Sequence, residues 1–521
     1  MSTATTDAPV GRRGVVAGGH PATARAGADI LEAGGNAADA AVAAIAASLT
    51  AEACLTGLGA GGFALIREPN GHSELLDFFV AAPGLGRSAA DRESRSHLHP
   101  YEVPFRSATQ IFNVGPSSCA VPGMPLGLTT LHARHGRLPL TEVLAPAIEC
   151  ACHGITLVPQ QDYLHDILSG ILTVDEAIRA VFAPGGRLLR QGETLRFPDL
   201  GDALEALAAE GSEPFISGRY ARRMVEFLDE RGGLLTTEDL AAYRVIVRRP
   251  HSVRYRDRTI LTNPLPSSGG TLIAHTLGLL DTRDLQSMTP QARACALADA
   301  MSATARDRVS VLADPGNTTH VCAIDAAGLA VSVTSSCGSG SGVVVEGSGI
   351  YMNNMMGEED LNPGGYFSLA PGERLTSMMS PTIAVSRGGD GGDSGSARGD
   401  GGDSGELVAL GSAGSERLRS AIVQILVNMI DLDMAPQEAV DQPRLHYHRD
   451  VLHAEGGTPD TVAAAVAAAG YDVNRWPMRD LFFGGAQVAK RRVAHAVDHG
   501  ETGTTFEGGG DPRRGGTARV V

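Results

Sequence analysis

The run NTTHVCAIDAAGLAVSVTSSCGSGSGVVVEGSGIYMNN, residues 317–354, places a threonine pair at the head of a strand-turn-strand unit. Residues 321–324 and 329–335 read as strands. The second alternates Leu329, Val331 and Val333 with Ala330, Ser332 and Thr334, the period of an extended chain with two unlike faces. Asp325 to Gly328 supplies the turn. A threonine whose own nitrogen is a free amine can pass its hydroxyl proton to that amine near neutral pH, with no separate histidine. Cleavage between Asn317 and Thr318 would create such a residue, so the block suits an enzyme that cuts itself.

At 521 residues the chain exceeds the usual one-domain length of roughly 100 to 200 and can bury a large core. Its formal charge of -16, with no basic run to offset it, argues against nucleic acid and against an anionic membrane surface. A small-molecule partner is the better fit. The N-terminal MSTATTDAPVGRRG lacks the apolar centre of a signal peptide, and the alanine-rich stretch 37–53 is short and carries Asp39 and Glu52. The expectation is a soluble, cytoplasmic protein. Seven scattered cysteines do not form a disulfide framework, and Cys150 and Cys152 lack the spacing of a zinc site.

Asn36 caps a helix whose apolar positions Val42, Ile45 and Leu49 recur at three and four, and Gly57 to Gly62 follows as a backbone-permissive loop. That loop has no P-loop lysine and follows a helix instead of preceding one, so no nucleotide cofactor is expected. Residues 121–241 read as mostly helical. A further helix carries Leu418, Ile422, Ile425, Leu426, Met429 and Ile430 on one face. Residues 386–405 are glycine, aspartate and serine, too polar to order themselves, and are expected to be a solvated, disordered loop. His446 and His448 point the same way on a strand, but no third ligand is evident. Packing or hydrogen bonding is expected of them, and no metal.

Taken with the block at Thr318, GGNAADAAVAA at 34–44, LGAGGF at 58–63, PSSGG at 266–270, MSPTIAV at 379–385, PRLHYH at 443–448 and DPRRGG at 511–516 resemble, in order, the γ-glutamyltransferase (γ-glutamyltranspeptidase) family. The resemblance implies an α+β, four-layer αββα sandwich of the N-terminal-nucleophile hydrolase class, built from both halves of one precursor. Residues 1–317 would form the large subunit, mostly helical with part of the sandwich, and 318–521 the small subunit carrying the nucleophile. Thr318 would be both cutter and catalyst, helped by Thr334 or by Ser336, which takes the place of the family's second threonine. Gly414 and Ser415, between a strand and a helix start, would supply the oxyanion amides. Asn353 and Asn354 match a further signature, with Asn354 at the substrate.

The chain also departs from the family it resembles. Members place an arginine for the glutamyl carboxylate one residue beyond an Asp-Phe pair; here Asp77-Phe78 is followed by Phe79. Glutamine and aspartate after the Asn-Asn pair become Met355 and Glu358, the family's serine pair becomes Ser377 and Met378, and its asparagine after the second threonine is absent. Losing a bidentate carboxylate clamp removes about 1.5 to 3 kcal/mol per bond. The expected substrate is therefore a non-glutamyl amide, or an activated carbon-carbon bond beside a carbonyl, in a biosynthetic setting. A true γ-glutamyltransferase or glutathione hydrolase and an unprocessed, non-catalytic homologue are the alternatives. Whether the processed pair forms a homodimer stays open.

Overall fold

The hairpin that heads the 317–354 block lies at the centre of the molecule because both of its faces are apolar enough to be covered. The computed structural model describes residues 12–106, 108–307, 318–362, 364–386, 405–414, 416–495 and 502–521. The glycine-rich loop expected at 386–405 lies, apart from its two end residues, outside the described residues. In chain order the strands of the two large sheets are β1 (Gly14–Gly18), β2 (Gly61–Arg67), β3 (Ser73–Phe78), β4 (Ile246–Arg248), β5 (His251–Tyr255), β6 (Arg258–Thr262), β7 (Thr319–Asp325), β8 (Ala330–Ser336), β9 (Thr382–Ser386), β10 (Glu406–Ala413), β11 (Gly485–His495), β12 (Thr502–Gly510) and β13 (Thr517–Val520). Among the described residues, seven strands form one antiparallel sheet in the order β13-β1-β7-β8-β2-β3-β4, and six form a second in the order β12-β11-β10-β9-β6-β5.

In β7 and β8, Val321 pairs with Val333, and the intervening turn puts Gly328 at φ 92°, where a side chain would be strained. Asp325 locks this turn: one carboxylate oxygen accepts the Leu329 amide and the other the Ala37 amide, each at 3.0 Å. Ala37 opens the helix α2 (Ala37–Ala51), which packs with α1 (Pro21–Glu32) on the outer face of the first sheet against Val321, Ala323, Val331 and Val333. Asn36 caps α2 as expected, its side chain accepting the Ala38 and Asp39 amides at 3.0 Å. Every residue of α2 is buried, and its alanines allow close approach to the sheet on one side and the helix Leu140–His153 on the other.

The opposite face of the hairpin, Cys322, Ile324 and Ala330, meets the second sheet. One polar member of that face, Ser332, is satisfied across the sandwich. Its hydroxyl donates to the Leu410 carbonyl at 3.0 Å and accepts the Thr382 amide at 3.2 Å. Outside the second sheet lie α3 (Ser268–Asp281), α4 (Pro290–Asp307) and α5 (Arg417–Ile430), the last carrying the apolar face read from the sequence. The result is the four-layer αββα sandwich, with both sheets drawing strands from either side of Thr318. Residues 124–242 form the expected helical scaffold. No helix among the described residues is long and apolar enough to cross a membrane.

The glycine loop is shorter than expected, since Gly61 and Gly62 already belong to β2. Its glycines are needed for close approach. A Cβ on Gly59 would stand 2.4 Å from the Tyr351 carbonyl oxygen, and one on Gly62 2.4 Å from that of Thr334.

A buried ion cluster ties the end of the chain to this frame. Arg444 pairs with Asp511 at 2.7 Å, Arg513 contacts both Asp511 and Glu455, and Glu455 also accepts the Arg444 and Asp480 amides. Burial works against the Asp511 charge, but Arg444 and Arg513 outweigh it and bring the carboxyl down to about 2. Because that lies below the unfolded value, the stabilisation from Asp511 is present above about pH 4 and lost as the pH falls to 2. Removing one partner leaves a buried charge uncompensated, so Arg513→Met should lower stability by about 3–5 kcal/mol in urea unfolding at pH 7.

Candidate active site

Thr318 stands immediately before β7 and is buried, with 4 % of its surface exposed. It lines a cleft of about 270 Å³ together with Ser336, the last residue of β8. Phe79, Met355 and Met378 form much of the remaining wall, and Leu361, Met379 and Leu418 extend its apolar character. Polar groups are few: Ser377 and Glu358 join the two hydroxyl residues. Leu418 lies in the first turn of α5, so the positive end of that helix faces the same space. Gly414, just ahead of α5, has φ 109°, a conformation that suits glycine, and its carbonyl accepts the Arg417 amide at 3.0 Å.

Each wall is held from behind. The Phe79 ring stacks on Phe63 at 5.4 Å between centroids, and the Tyr243 hydroxyl donates to the Phe79 carbonyl at 2.6 Å. Ser267 and Ser268 of the PSSGG segment grip residues 377–379. The Ser267 hydroxyl donates to the Ser377 carbonyl at 2.8 Å and the Ser268 hydroxyl to the Met378 sulfur at 3.4 Å. A Cβ on Gly269 would overlap the Met378 carbonyl oxygen at 2.1 Å, so this contact requires glycine. The Asn353 side chain accepts the Ala120 and Met355 amides and donates to the Gly59 and Ala120 carbonyls.

Asn354, expected at the substrate, is used up in the wall. Its oxygen accepts the Ser339 amide, and its nitrogen donates to the Asn113 carbonyl and the Ser339 hydroxyl. The absence of an asparagine after the second hydroxyl position also has a steric side. At Gly338, φ is 69°, and a Cβ would stand 2.0 Å from Asn354 Oδ1 and 2.3 Å from Glu358 Oε1. Thr334 and Ser336, both considered as helpers of the nucleophile, part company here. The Thr334 hydroxyl is hydrogen-bonded to His320 Nδ1 at 2.9 Å, away from the cleft, whereas Ser336 lines it and accepts the Gly338 amide at 2.9 Å. Asn317 and Ser415 lie outside the described residues.

The charges around Thr318 are unusual for their burial. Glu358 accepts the Ser339 amide at 3.1 Å, and burial pushes its carboxyl up to about 8, so the cleft wall is largely uncharged at neutral pH. Behind Thr318, Glu52 accepts hydroxyl hydrogen bonds from Thr319 and, at 2.8 Å, from Thr23. Burial raises Glu52 to about 7. Arg514 Nη1 donates to the Thr318 carbonyl at 3.2 Å. Burial brings His320 down to about 3, so it stays neutral and cannot serve as a base. The site can therefore present a hydroxyl in a dry, mostly apolar cleft beside a helix N-terminus, the requirements for acyl transfer once the threonine nitrogen is free.

Glu52 and Arg514 went unnoticed in the sequence as site residues. Each reaches Thr318 or Thr319 from a distant part of the chain; the signs were a carboxylate at the end of an alanine-rich helix and, for Arg514, its place in the DPRRGG motif, which carried no assigned role. The histidine pair gains the third group that the sequence did not reveal, since ligand-type atoms of Glu416, His446 and His448 lie within 4.8 Å of one another. His448 Nδ1 donates to Glu416 at 2.7 Å and His446 Nδ1 is hydrogen-bonded to the Ser420 hydroxyl at 2.9 Å. Burial and the charges of His448, Arg419 and Arg417 hold His446 well below its ordinary value, and that positive surrounding opposes a cation. A wider cleft of about 1360 Å³ between α1 and the helix Leu140–His153 contains the thiol of Cys150, which burial pushes up to about 11, so it is a poor nucleophile.

The family model described as gamma-glutamyltranspeptidase matches residues 23–316 and 312–521. Among curated proteins the chain is 33% identical to the acylase ACY 1 proenzyme of Pseudomonas sp. (strain SE83), covering 90% of this chain and 88% of that one. It is 30% identical to the glutathione hydrolase proenzyme of Escherichia coli (strain K12), covering 87% and 84%. Among solved structures, the cephalosporin acylase from Bacillus halodurans superposes with a TM-score of 0.78 at 27% identity over 99% of this chain and 98% of that one.

The two hydroxyls of β8 separate experimentally. Ser336→Ala should lower kcat at least about tenfold with little change in KM, because it removes a group beside the reacting hydroxyl. Thr334→Val should leave the kinetic constants unchanged and cost about 1–3 kcal/mol of stability by stranding His320. Steady-state kinetics and thermal unfolding of the two variants check this.

Proposed function

The chain belongs to the γ-glutamyltranspeptidase family, and on that premise we propose that it cuts itself between Asn317 and Thr318 and then hydrolyses a non-glutamyl substrate in a biosynthetic, cytoplasmic setting. The bond opened is an amide bearing an apolar acyl group, or an activated carbon-carbon bond beside a carbonyl. One observation carries the reading: Thr318 and Ser336 share a cleft whose wall is Phe79, Met355 and Met378. An apolar wall leaves a carboxylate without a partner, and burying one unpaired costs several kcal/mol. The acylase and glutathione hydrolase relatives support the hydrolytic chemistry.

In the first event the Thr318 hydroxyl adds to the carbonyl of residue 317, and the resulting ester is hydrolysed to leave a free amine on Thr318. In turnover the same hydroxyl adds to the substrate carbonyl while the amine takes its proton. As the carbon-nitrogen bond breaks, that proton passes to the leaving nitrogen. Water, deprotonated by the amine, then opens the acyl-threonine ester and restores the hydroxyl. The oxyanion is assigned to the α5 N-terminus, whose Leu418 lines the Thr318 cleft, and to the Gly414 turn ahead of it. Ser336 is placed to steer the hydroxyl, and Ser377 and Glu358 are the polar groups available to orient the substrate.

A second reading, a true glutathione hydrolase, draws on Glu358. An ammonium brought beside this carboxyl would draw its proton away and pair with the anion, as the family's aspartate does for the glutamyl amine. The apolar replacements at the carboxylate end weigh against that substrate.

Mass spectrometry of the purified protein should show a small subunit beginning at Thr318. Thr318→Ala should remain one chain and Thr318→Ser should process more slowly; an active preparation that stays full length would sink the reading. Glutathione should be used at least about a hundredfold less well than an apolar acyl amide, each tenfold corresponding to about 1.4 kcal/mol. Phe79→Arg combined with Met355→Gln should raise turnover of a γ-glutamyl anilide, and the absence of any gain would move these residues out of the substrate pocket.

A further inference from the structure

Arg514 is an expensive residue to bury. It is 6 % exposed, and among the described residues its Nε and Nη2 have no hydrogen-bond partner. Among the described residues its one side-chain hydrogen bond runs from Nη1 to the Thr318 carbonyl at 3.2 Å. The surroundings are shaped for it. A Cβ on Gly485 would stand 2.4 Å from Arg514 Cδ, and one on Gly414 would stand 3.6 Å from Arg514 Nη2, so the guanidinium lies between the nucleophile and the turn that precedes α5. On the other side, Glu52 is fixed by the hydroxyls of Thr23 and Thr319, and a Cβ on Gly19 would overlap its carboxylate at 2.1 Å.

We propose that Arg514 and Glu52 form a charge bracket that positions the Thr318 main chain and holds the amine freed by cleavage as an uncharged base. The inference rests on the reading of Thr318 as a processed N-terminus. Backbone geometry puts the nitrogen of a residue about 3–4 Å from its own carbonyl oxygen. A guanidinium bonded to that oxygen therefore stands within about 7 Å of the amine. In a dry site a positive charge so close disfavours the ammonium form, and a carboxylate favours it. Arg514 neither gives nor takes a proton: the amine accepts the hydroxyl proton as the Oγ–carbon bond forms and returns it to the leaving nitrogen. The other charged groups nearby are Glu358 across the cleft and Asp511 and Asp480, which act on Arg514 from behind; His320 is neutral. Burial raises Glu52 to about 7, so its charge is only part formed at neutral pH and the arginine dominates there.

The test reads the amine directly and needs no substrate. The processed enzyme is treated with potassium cyanate across a pH series, and carbamoylation of the Thr318 amine is followed by mass spectrometry of the N-terminal peptide of the small subunit. Arg514→Met should move the midpoint of the profile up by about one pH unit, and Glu52→Gln should move it down. Arg514→Lys keeps the charge and should stay near the parent profile while lowering kcat. Unchanged midpoints in Arg514→Met and Glu52→Gln, or shifts in the same direction, overturn the bracket. Should Arg514→Met fail to fold or to cleave, the Glu52→Gln profile decides alone, and a midpoint that does not fall rejects the proposal. A parent enzyme with no small subunit starting at Thr318 would instead reject the reading of the nucleophile.

Discussion

Four buried charges near the chain end hold the site together. Arg444, Asp511, Arg513 and Glu455 are tolerated in the interior only because each finds opposite charge and backbone partners in the other segments. Asp511 also accepts the Ala486 amide at the start of β11, so the turn that follows β12 is fastened to the second sheet. The next residue after Arg513 is Arg514, whose reach to the Thr318 carbonyl depends on that fastening. Beyond it, β13 returns to pair with β1 in the first sheet. The cluster thus fixes the point where the last segment crosses from one sheet to the other, beside Thr318.

The cleft shows a division of labour between main chain and side chain. Polar contacts behind it are dense: Asn353, Asn354, Ser267 and Ser268 fix the turns that present Met355 and Met378. The side chains that face inward are mostly sulfur and hydrocarbon. Methionine is unbranched and polarizable and fits irregular apolar shapes, so a wall of this kind offers little directional recognition. The few polar groups among them are Ser377 and Glu358, and burial pushes the Glu358 carboxyl upward.

Much of the frame was legible because its signals are local. The alternation in β8, the Asn36 cap on α2 and the apolar face of α5 are periodic or adjacent in sequence, and each formed with bounds within a few residues of those read. The two sheets were reached through motifs that the fold brings together, and the replaced positions Phe79, Met355 and Met378 line one cleft with Thr318. The misplaced details share a cause. Alternation along β8 could not tell whether Thr334 or Ser336 faces the Thr318 cleft, because the choice depends on His320 arriving from the neighbouring strand. Asn354 looked like a ligand contact because an asparagine is equally suited to substrate or backbone, and only the positions of Asn113 and Ser339 decide between them. Glu52, Arg514 and Glu416 act across hundreds of residues or between separate elements, where sequence carries no periodic trace.

Both sheets hold strands from either side of Thr318, and in the first they are interleaved. β1 pairs with β7 and β13, β2 with β8, and β6 with β9. A chain cut at that point would be two polypeptides woven through the first sheet and joined edge to edge at β6 and β9 in the second. Separation would demand that both sheets come apart, and reassembly would turn an intramolecular search into an encounter between two unfolded pieces. The mature enzyme would therefore hold its shape through a barrier to unfolding set before the cut, and heat or denaturant would read out a rate of loss where the precursor reads out an equilibrium.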